Sequence, residues 1–341
     1  MDVLSEVLRA VRLTGAIYFD VAARAPWVAE TPALARICGQ VMPDFEHVIA
    51  FHIMLDGWCW AQLGDESEPP VRLAAGDSIL FPHGDRHMMG TEAGRHAEPN
   101  YSLYYRPKDQ PLPFVLSELG GTGEPARFVC GYLGCDARPF NPILAALPRM
   151  IHVRADTNGG GNRLAELIRM AVEESTSRRE GGETVLAKLS ELMFVQALRR
   201  YIDGLPPEAR GWLPGLRDPH VGAALSLMHG QAAEGWTLER LAKKVGLSRS
   251  ALSDRFTHYV KEPPMHYLGR WRMQLAARAL ESPGASIAAI AADVGYQSEA
   301  AFNRAFKKYV GVPPGEWRRS RSPTPGAVAP SGREKRNEAR P

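Results

Sequence analysis

Cysteine is scarce in this sequence. Cys38, Cys59, Cys130 and Cys135 are scattered over 341 residues and none forms a Cys-x-x-Cys pair, which excludes a disulfide scaffold and makes reduced thiols the expectation. Long apolar runs are missing as well. No stretch of about 18 apolar residues occurs, so a membrane-spanning helix is excluded. The opening MDVLSEVLRAVRLTG reads as an amphipathic helix with Val3, Leu4, Val7, Leu8 and Val11 on one side. Charges interrupt it, so it lacks the apolar core of a secretory signal, and a cytoplasmic protein is expected. An excess of one charge is also lacking overall, since 41 Lys and Arg face 38 Asp and Glu.

That balance hides an asymmetry. From Trp236 to Arg319 there are 14 basic and 7 acidic residues, whereas the first 235 residues hold 22 basic and 29 acidic ones. A basic, compact C-terminal segment suits a polyanion such as nucleic acid; the acidic larger segment does not.

Hydrophobic periodicity divides the chain in the same place. From about Ile17 to Val153, short apolar runs (HVIAFHIML, GWCWAQL, VRLAAGDSILFP, YSLYYR, ARFVCGYL) are separated by turn residues such as Asp56-Gly57 and Gly76-Asp77, predicting an antiparallel β barrel or sandwich. After Gly159-Gly160-Gly161 the spacing becomes helical. One stripe holds Leu164, Leu167, Ile168, Ala171 and Val172; a second helix, Glu183 to Tyr201, carries Leu186, Leu189, Leu192, Met193, Gln196 and Ala197. These helices, within 162–201, either pack on the β domain or form a homodimer interface. The Pro- and Gly-rich 203–218 reads as a linker, 219–320 as an all-α domain, and the apolar-poor 321–341 as a disordered tail.

Within the all-α part the sequence repeats itself. Phe256, Tyr259, Val260, Pro263, Pro264 and Tyr267 recur in register as Phe306, Tyr309, Val310, Pro313, Pro314 and Trp317. Upstream of each copy lie a helix with a small contact residue, Ala242 or Ala291, and a glycine, Gly246 or Gly295. Two short helices cross at a steep angle only if the contact is small and the turn accepts a positive φ. Ser248 and Ser298 stand where N-caps are wanted. Leu252 and Phe256, or Phe302 and Phe306, bury the inner face of the second helix and leave its outer face polar. Two helix-turn-helix units joined by a long helix, Met265 to Glu281, with no Gly or Pro after Gly269, would let two recognition helices enter successive major grooves, about 34 Å apart.

At these residues the chain resembles the AraC/XylS family of transcription regulators, closely in GYQSEAAFNRAFKKYVGVPPGEWR and more loosely in the first copy, where Lys261 replaces the glycine that Gly311 supplies. The resemblance implies double-stranded promoter DNA as partner. Base readers by resemblance are Ser250, Ser253 and Asp254 in the first unit and Glu299, Ala300, Asn303 and Arg304 in the second, with Ser298, the N-cap, counted among the DNA-binding residues. Arg304 suits guanine and Asn303 adenine. Arg249, Arg255, Lys307 and Lys308 suit phosphate. Asp254 is the awkward member, because phosphate repels a carboxylate that has neither a cytosine amine nor an arginine beside it.

The stretch Gly76 to His87 carries Gly, five residues, Pro, one, Gly, two, His, and resembles the second cupin motif. The resemblance implies a cupin-like sensor over residues 1–202. The His-x-His pair and Glu of the first motif of metal-dependent cupins are absent, which opposes a cupin enzyme. His52, His83, His87 and Cys130 form a candidate set for zinc or a similar divalent ion. Beside it stands the reading in which His83 and His87 brace a Pro-Gly turn, His52 packs in a strand and Cys130 is a buried thiol. Trp58, Trp60 and Tyr104 are candidate pocket residues, with core aromatics as the alternative.

The expected fold is therefore two domains: an N-terminal β-barrel, cupin-like and α+β, with appended helices, and a C-terminal all-α tandem helix-turn-helix domain. The expected function is sequence-specific transcription regulation without enzymatic activity. A small-molecule or redox effector and RNA polymerase are the expected further partners, with no membrane. A metal- or thiol-based redox regulator and a cupin enzyme fused to a DNA-binding domain stay open as alternatives. An alkyl-transfer repair protein is opposed because no cysteine lies in a nucleophile setting with His and Glu.

Overall fold

A computed structural model describes residues 2–105, 112–155, 163–177, 179–282 and 284–321. The tail expected to be disordered lies, past Arg321, outside the described residues. Helix α1 (Val3–Ala10) opens the chain, and β1 (Thr14–Arg24), β2 (Val28–Thr31) and the short helix α2 (Cys38–Val41) follow. Next come β3 (His47–Asp56), β4 (Trp58–Leu63), β5 (Val71–Ala74), β6 (Ser78–Phe81) and β7 (His87–Gly90). The domain is completed by β8 (Phe114–Gly120), β9 (Pro125–Cys135), α3 (Pro142–Ala146) and β10 (Ile151–Val153).

These strands form two sheets, ordered β10-β6-β3-β9-β1-β8 and β2-β7-β4-β5. The expected antiparallel pairing holds except between β1 and β8, which run parallel. In β9, Phe128, Cys130 and Tyr132 face the space between the sheets, while Val129, Leu133 and Cys135 face the helices. Central strands covered on both faces need apolar residues at every position, which is why they read as continuous runs rather than alternating ones. YSLYYR, expected as a strand, is instead a 3-10 turn over Tyr101–Tyr104, because Asn100 caps it by accepting from the Ser102 N–H.

Helices α4 (Arg163–Ser177) and α5 (Gly182–Asp203) pack on each other, and α5 lies along β1. Contact is so close at Gly15 that a Cβ there would stand 2.5 Å from the Ser190 Cβ. Leu192, expected in the buried stripe, is 50% exposed. Residues 203–218 do not behave as a free linker. They include α6 (Trp212–Gly215), whose Trp212 and Leu213 are buried in the adjoining core, and the Trp212 Nε1–H donates to the Tyr267 hydroxyl at 2.7 Å. Apolar burial of those two side chains overrides the Pro and Gly around them.

The C-terminal helices are α7 (Pro219–Gly230), α8 (Leu238–Lys244), α9 (Arg249–Val260), α10 (Pro264–Glu281), α11 (Ile287–Asp293), α12 (Glu299–Val310) and α13 (Pro314–Arg321). One apolar cluster runs from α1 and the outer face of the barrel through α5 into α7, α8, α9 and the start of α10; α11, α12 and α13 close a separate one with the rest of α10. Thus α1, although first in the chain, packs on α7 and α10. Gln274 of α10, 1% exposed, sits in that junction. Its Oε1 accepts from the Phe140 N–H at 3.0 Å and its Nε2 donates to the Ala10 carbonyl at 3.3 Å.

Candidate nucleic-acid interface and sensor cavity

The two repeats fold alike. Ser248 caps α9 by accepting from the Ala251 N–H at 3.2 Å, and Ser298 caps α12 by accepting from the Ala301 N–H at 3.2 Å. Gly246 (φ 74°) and Gly295 (φ 86°) take the left-handed turn, and Ala242 and Ala291 are buried where the helices cross. Leu252, Phe256, Phe302 and Phe306 are fully buried. With its inner face sealed, each second helix leaves polar groups outside. Arg249, Ser250, Asp254 and Arg255 are exposed on α9, with Ser253 half-buried. On α12, Ser298, Glu299, Ala300, Arg304, Lys307 and Lys308 are exposed and Asn303 is half-buried. Between them α10 runs for 18 residues, about 27 Å at ~1.5 Å per residue.

Two positions depart from the symmetric picture. Arg255, expected at phosphate, also pairs within the protein: its Nε and Nη2 donate to the Asp218 carboxylate at 3.0 and 2.6 Å. Burial pushes the Asp218 carboxyl up, but Arg255 and the N–H groups of Val221 and His220 hold it below the usual range. Asp218 also caps α7, so this one carboxylate ties α9 to α7. The second departure is Lys261, which takes φ 66° at the end of α9 where Gly311 takes 93° at the end of α12. Lys261 stands out where the repeat loses its glycine; the Asp218 link, 37 residues away in sequence, leaves no local signal.

In the β domain the structure brings together His52, His87 and Cys130, but not His83. His83 is exposed and bonds the Leu147 carbonyl oxygen through Nε2 at 2.9 Å. His87 Nδ1 donates to the Asp85 carbonyl oxygen at 2.7 Å, so its Nε2 must accept from His52 Nε2–H at 2.7 Å. His52 Nδ1 is then left to accept from the Cys130 thiol at 2.9 Å. The two ring nitrogens of His52 therefore point to different partners, and the three side chains do not converge on one ion. Among the described residues no group of three or more His, Cys, Asp and Glu is arranged to hold a metal, which corrects the four-residue set expected for zinc.

Burial pushes His87 down to about 4 and His52 well below its ordinary value, so both rings are neutral. Burial likewise raises all four thiols, Cys59 to about 12, which is the environment of inert structural cysteines and opposes a thiol switch.

A cavity of about 460 Å³ lies between the edge strands β2 and β8. Phe19 of β1, Tyr104, and Phe128, Cys130 and Tyr132 of β9 line it. Of the aromatics expected in a pocket, Tyr104 belongs to this cavity. Trp58 instead lies under the Arg72 guanidinium, 4.9 Å from its ring centre, beside a different surface cleft, and Trp60 is half-buried on β4 outside the cavity.

Comparison with known proteins matches both halves. A cupin family model matches residues 2–203, and a helix-turn-helix domain model matches 241–320. A putative AraC-like transcription regulator of Streptomyces lividans is 31% identical over 324 residues, covering 94% of this chain and 98% of its own. One from Streptomyces antibioticus is 30% identical, covering 95% and 100%. The HTH-type transcriptional regulator AlkR of Acinetobacter baylyi is 26% identical, covering 93% and 99%. A strand barrel followed by paired recognition helices thus has full-length counterparts, and the chain belongs to the AraC-like family of DNA-binding transcription regulators, with a cupin sensor domain in front.

Proposed function

We propose that α9 and α12 enter successive major grooves of an operator, and that occupancy of the β-domain cavity by a small molecule changes how the chain acts on RNA polymerase. The observation that carries this is the duplicated unit: two capped helices, each sealed on its inner face by a fully buried aromatic, present polar outer faces at the two ends of one helix. The protein works in the cytoplasm and turns over no substrate. Two copies on paired half-sites fit the exposed Val185 and Leu192 of α5, an apolar surface that a second chain would cover.

Roles divide along α12. Arg304 reads a base and Lys307 neutralises phosphate. The test is binding of purified Arg304→Ala and Lys307→Ala chains to the operator, recovered as genomic fragments, and to random DNA over a range of salt. Arg304→Ala is expected to cost about 1–3 kcal/mol at the operator and to relax preference at one base pair. Lys307→Ala is expected to weaken all sequences alike and to flatten the salt dependence by about one unit of slope. Equal losses on random DNA for Arg304→Ala would remove its assigned role.

A further inference from the structure

The cavity's chemistry narrows what it takes, and this inference rests on the reading of that cavity as the effector site. Its floor is a packed set of rings. Phe19 and Tyr104 meet edge to face at 5.8 Å between centres, and Phe128 stacks on Trp27 at 5.0 Å. Rings held at mixed angles present both edges and faces to a planar guest. The polar groups beside them are neutral. Burial pushes the Tyr104 phenol up to about 12 and raises Tyr132 and Cys130 as well, so they act as uncharged hydrogen-bonding groups. Thr31, Tyr104 and Tyr132 all line it, so three hydroxyl-bearing side chains border the cavity.

The charged residues of the described lining have one sign. Among the described residues the lining includes Glu30 and Glu98 and no lysine, arginine or histidine. Arg86 lies behind Glu30 and pairs with it, so that cation is already committed. A ligand carboxylate meeting only these described groups would lose water without gaining a cation. The mouth presents exposed apolar groups beside its polar ones. Val115 in the lining is 55% exposed, and Tyr101 and Tyr105, which flank Leu103 and Tyr104 of the lining, are exposed too. About 460 Å³ falls within the range of small-molecule sites.

We infer that the cavity binds an uncharged aromatic molecule carrying one hydroxyl or carbonyl group, and discriminates against the corresponding carboxylate. The ring packs among Phe19, Phe128 and Tyr132, and its polar atom meets the hydroxyls of Thr31 and Tyr104.

The probes are 1-naphthol and 1-naphthoate, matched in shape and differing in charge at neutral pH, titrated calorimetrically into the full chain. Saturable binding of one naphthol per chain is expected, with naphthoate at least tenfold weaker. Leu116→Trp, which fills the mouth, is expected to weaken naphthol at least tenfold, and Glu98→Lys to narrow the gap between the probes at least threefold; melting curves confirm that both variants fold. Naphthoate binding as tightly as naphthol overturns the inference. So does an absence of binding by the folded chain, or naphthol binding untouched by Leu116→Trp. Operator affinity is measured alongside. Selective naphthol binding with no change in operator affinity would leave the ligand class standing and overturn the effector reading instead.

Discussion

Lys261 and Gly311 occupy the same place in the two repeats, each ending a recognition helix with its N–H bonded to a carbonyl one turn back, Thr257 or Lys307. Both take a left-handed backbone, φ 66° for Lys261 and 93° for Gly311. A side chain bearing a Cβ resists that conformation by roughly 1–2 kcal/mol, whereas glycine adopts it without steric cost. Around Gly311 nothing lies within 4 Å of where a Cβ would be, so the difference is conformational rather than steric. Lys261→Gly is therefore expected to stabilise the protein by about 1 kcal/mol, after allowing for the extra freedom glycine has when unfolded. Gly311→Ala is expected to cost a similar amount. Urea unfolding of the two variants against the parent measures both; a destabilised Lys261→Gly chain would contradict the account. The same exchange should leave operator affinity almost untouched, since Lys261 lies beyond the exposed face of α9.

As whole elements the two recognition helices are not equivalent. Asp218 grips α9 through Arg255 while capping α7, but the position in α12 that corresponds to Arg255 is Ala305, which has no such reach. Helix α9 is thus held by a charged tie to its neighbour, and α12, among the described residues, by packing. Arg255→Ala loosens α9 and leaves the Asp218 carboxylate without its strongest partner. The pair is half-exposed on the arginine side, so the stability lost is modest, about 1 kcal/mol. Its effect on DNA distinguishes a tie from a phosphate contact: operator affinity is expected to fall with the salt slope unchanged. A slope flattened by about one unit would return Arg255 to the phosphate.

This contrast shows what was legible in the sequence. Ala242, Gly246, Ser248, Leu252 and Phe256 act within a dozen residues of one another, so spacing alone located the turn, cap and inner face. Arg255 looks the same as any exposed arginine until α7 is folded beside it. The zinc set misled for a related reason, because residue types place His52, His83, His87 and Cys130 in one barrel but do not say which ring nitrogen points where.

Across the whole molecule, sensor and DNA-binding parts are joined by more than a tether. Arg12 donates to Asp136 at 2.5 and 2.8 Å and reaches Glu281 of α10 at 3.6 Å, while Gln274 links α10 to Ala10 and Phe140. Arg12 precedes β1 and Asp136 follows β9, the two strands that carry Phe19, Phe128 and Tyr132 into the cavity. A ligand that shifts those strands acts on the same groups that hold α10, the helix setting the separation of α9 and α12. None of this could be read from the N-terminal amphipathic pattern, which announced an apolar face but not its partner.

Buried histidines stand on both sides of that junction, and they make the stability of the joined body depend on pH. His87 in the barrel is pushed down to about 4, and His229, stacked on Trp271 at 4.0 Å and bonded to the Tyr267 hydroxyl at 2.7 Å, is pushed down to about 3, in each case mainly by burial. Unfolded, each ring takes a proton near its ordinary value of about 6.5. Below that value the unfolded chain binds protons that the folded chain refuses. The stability from these sites is therefore fully present above about pH 6.5 and is lost as the pH falls towards the folded values, by up to about 1.4 kcal/mol per pH unit for each ring. Urea midpoints taken between pH 7.5 and 5 should decline steeply. His229→Phe keeps the stacking on Trp271 but removes one titrating group. That variant should be less stable at pH 7.5, because Tyr267 loses a partner, yet lose stability less steeply on acidification by about one proton's worth. An unchanged slope would mean that His229 takes up its proton with the protein still folded.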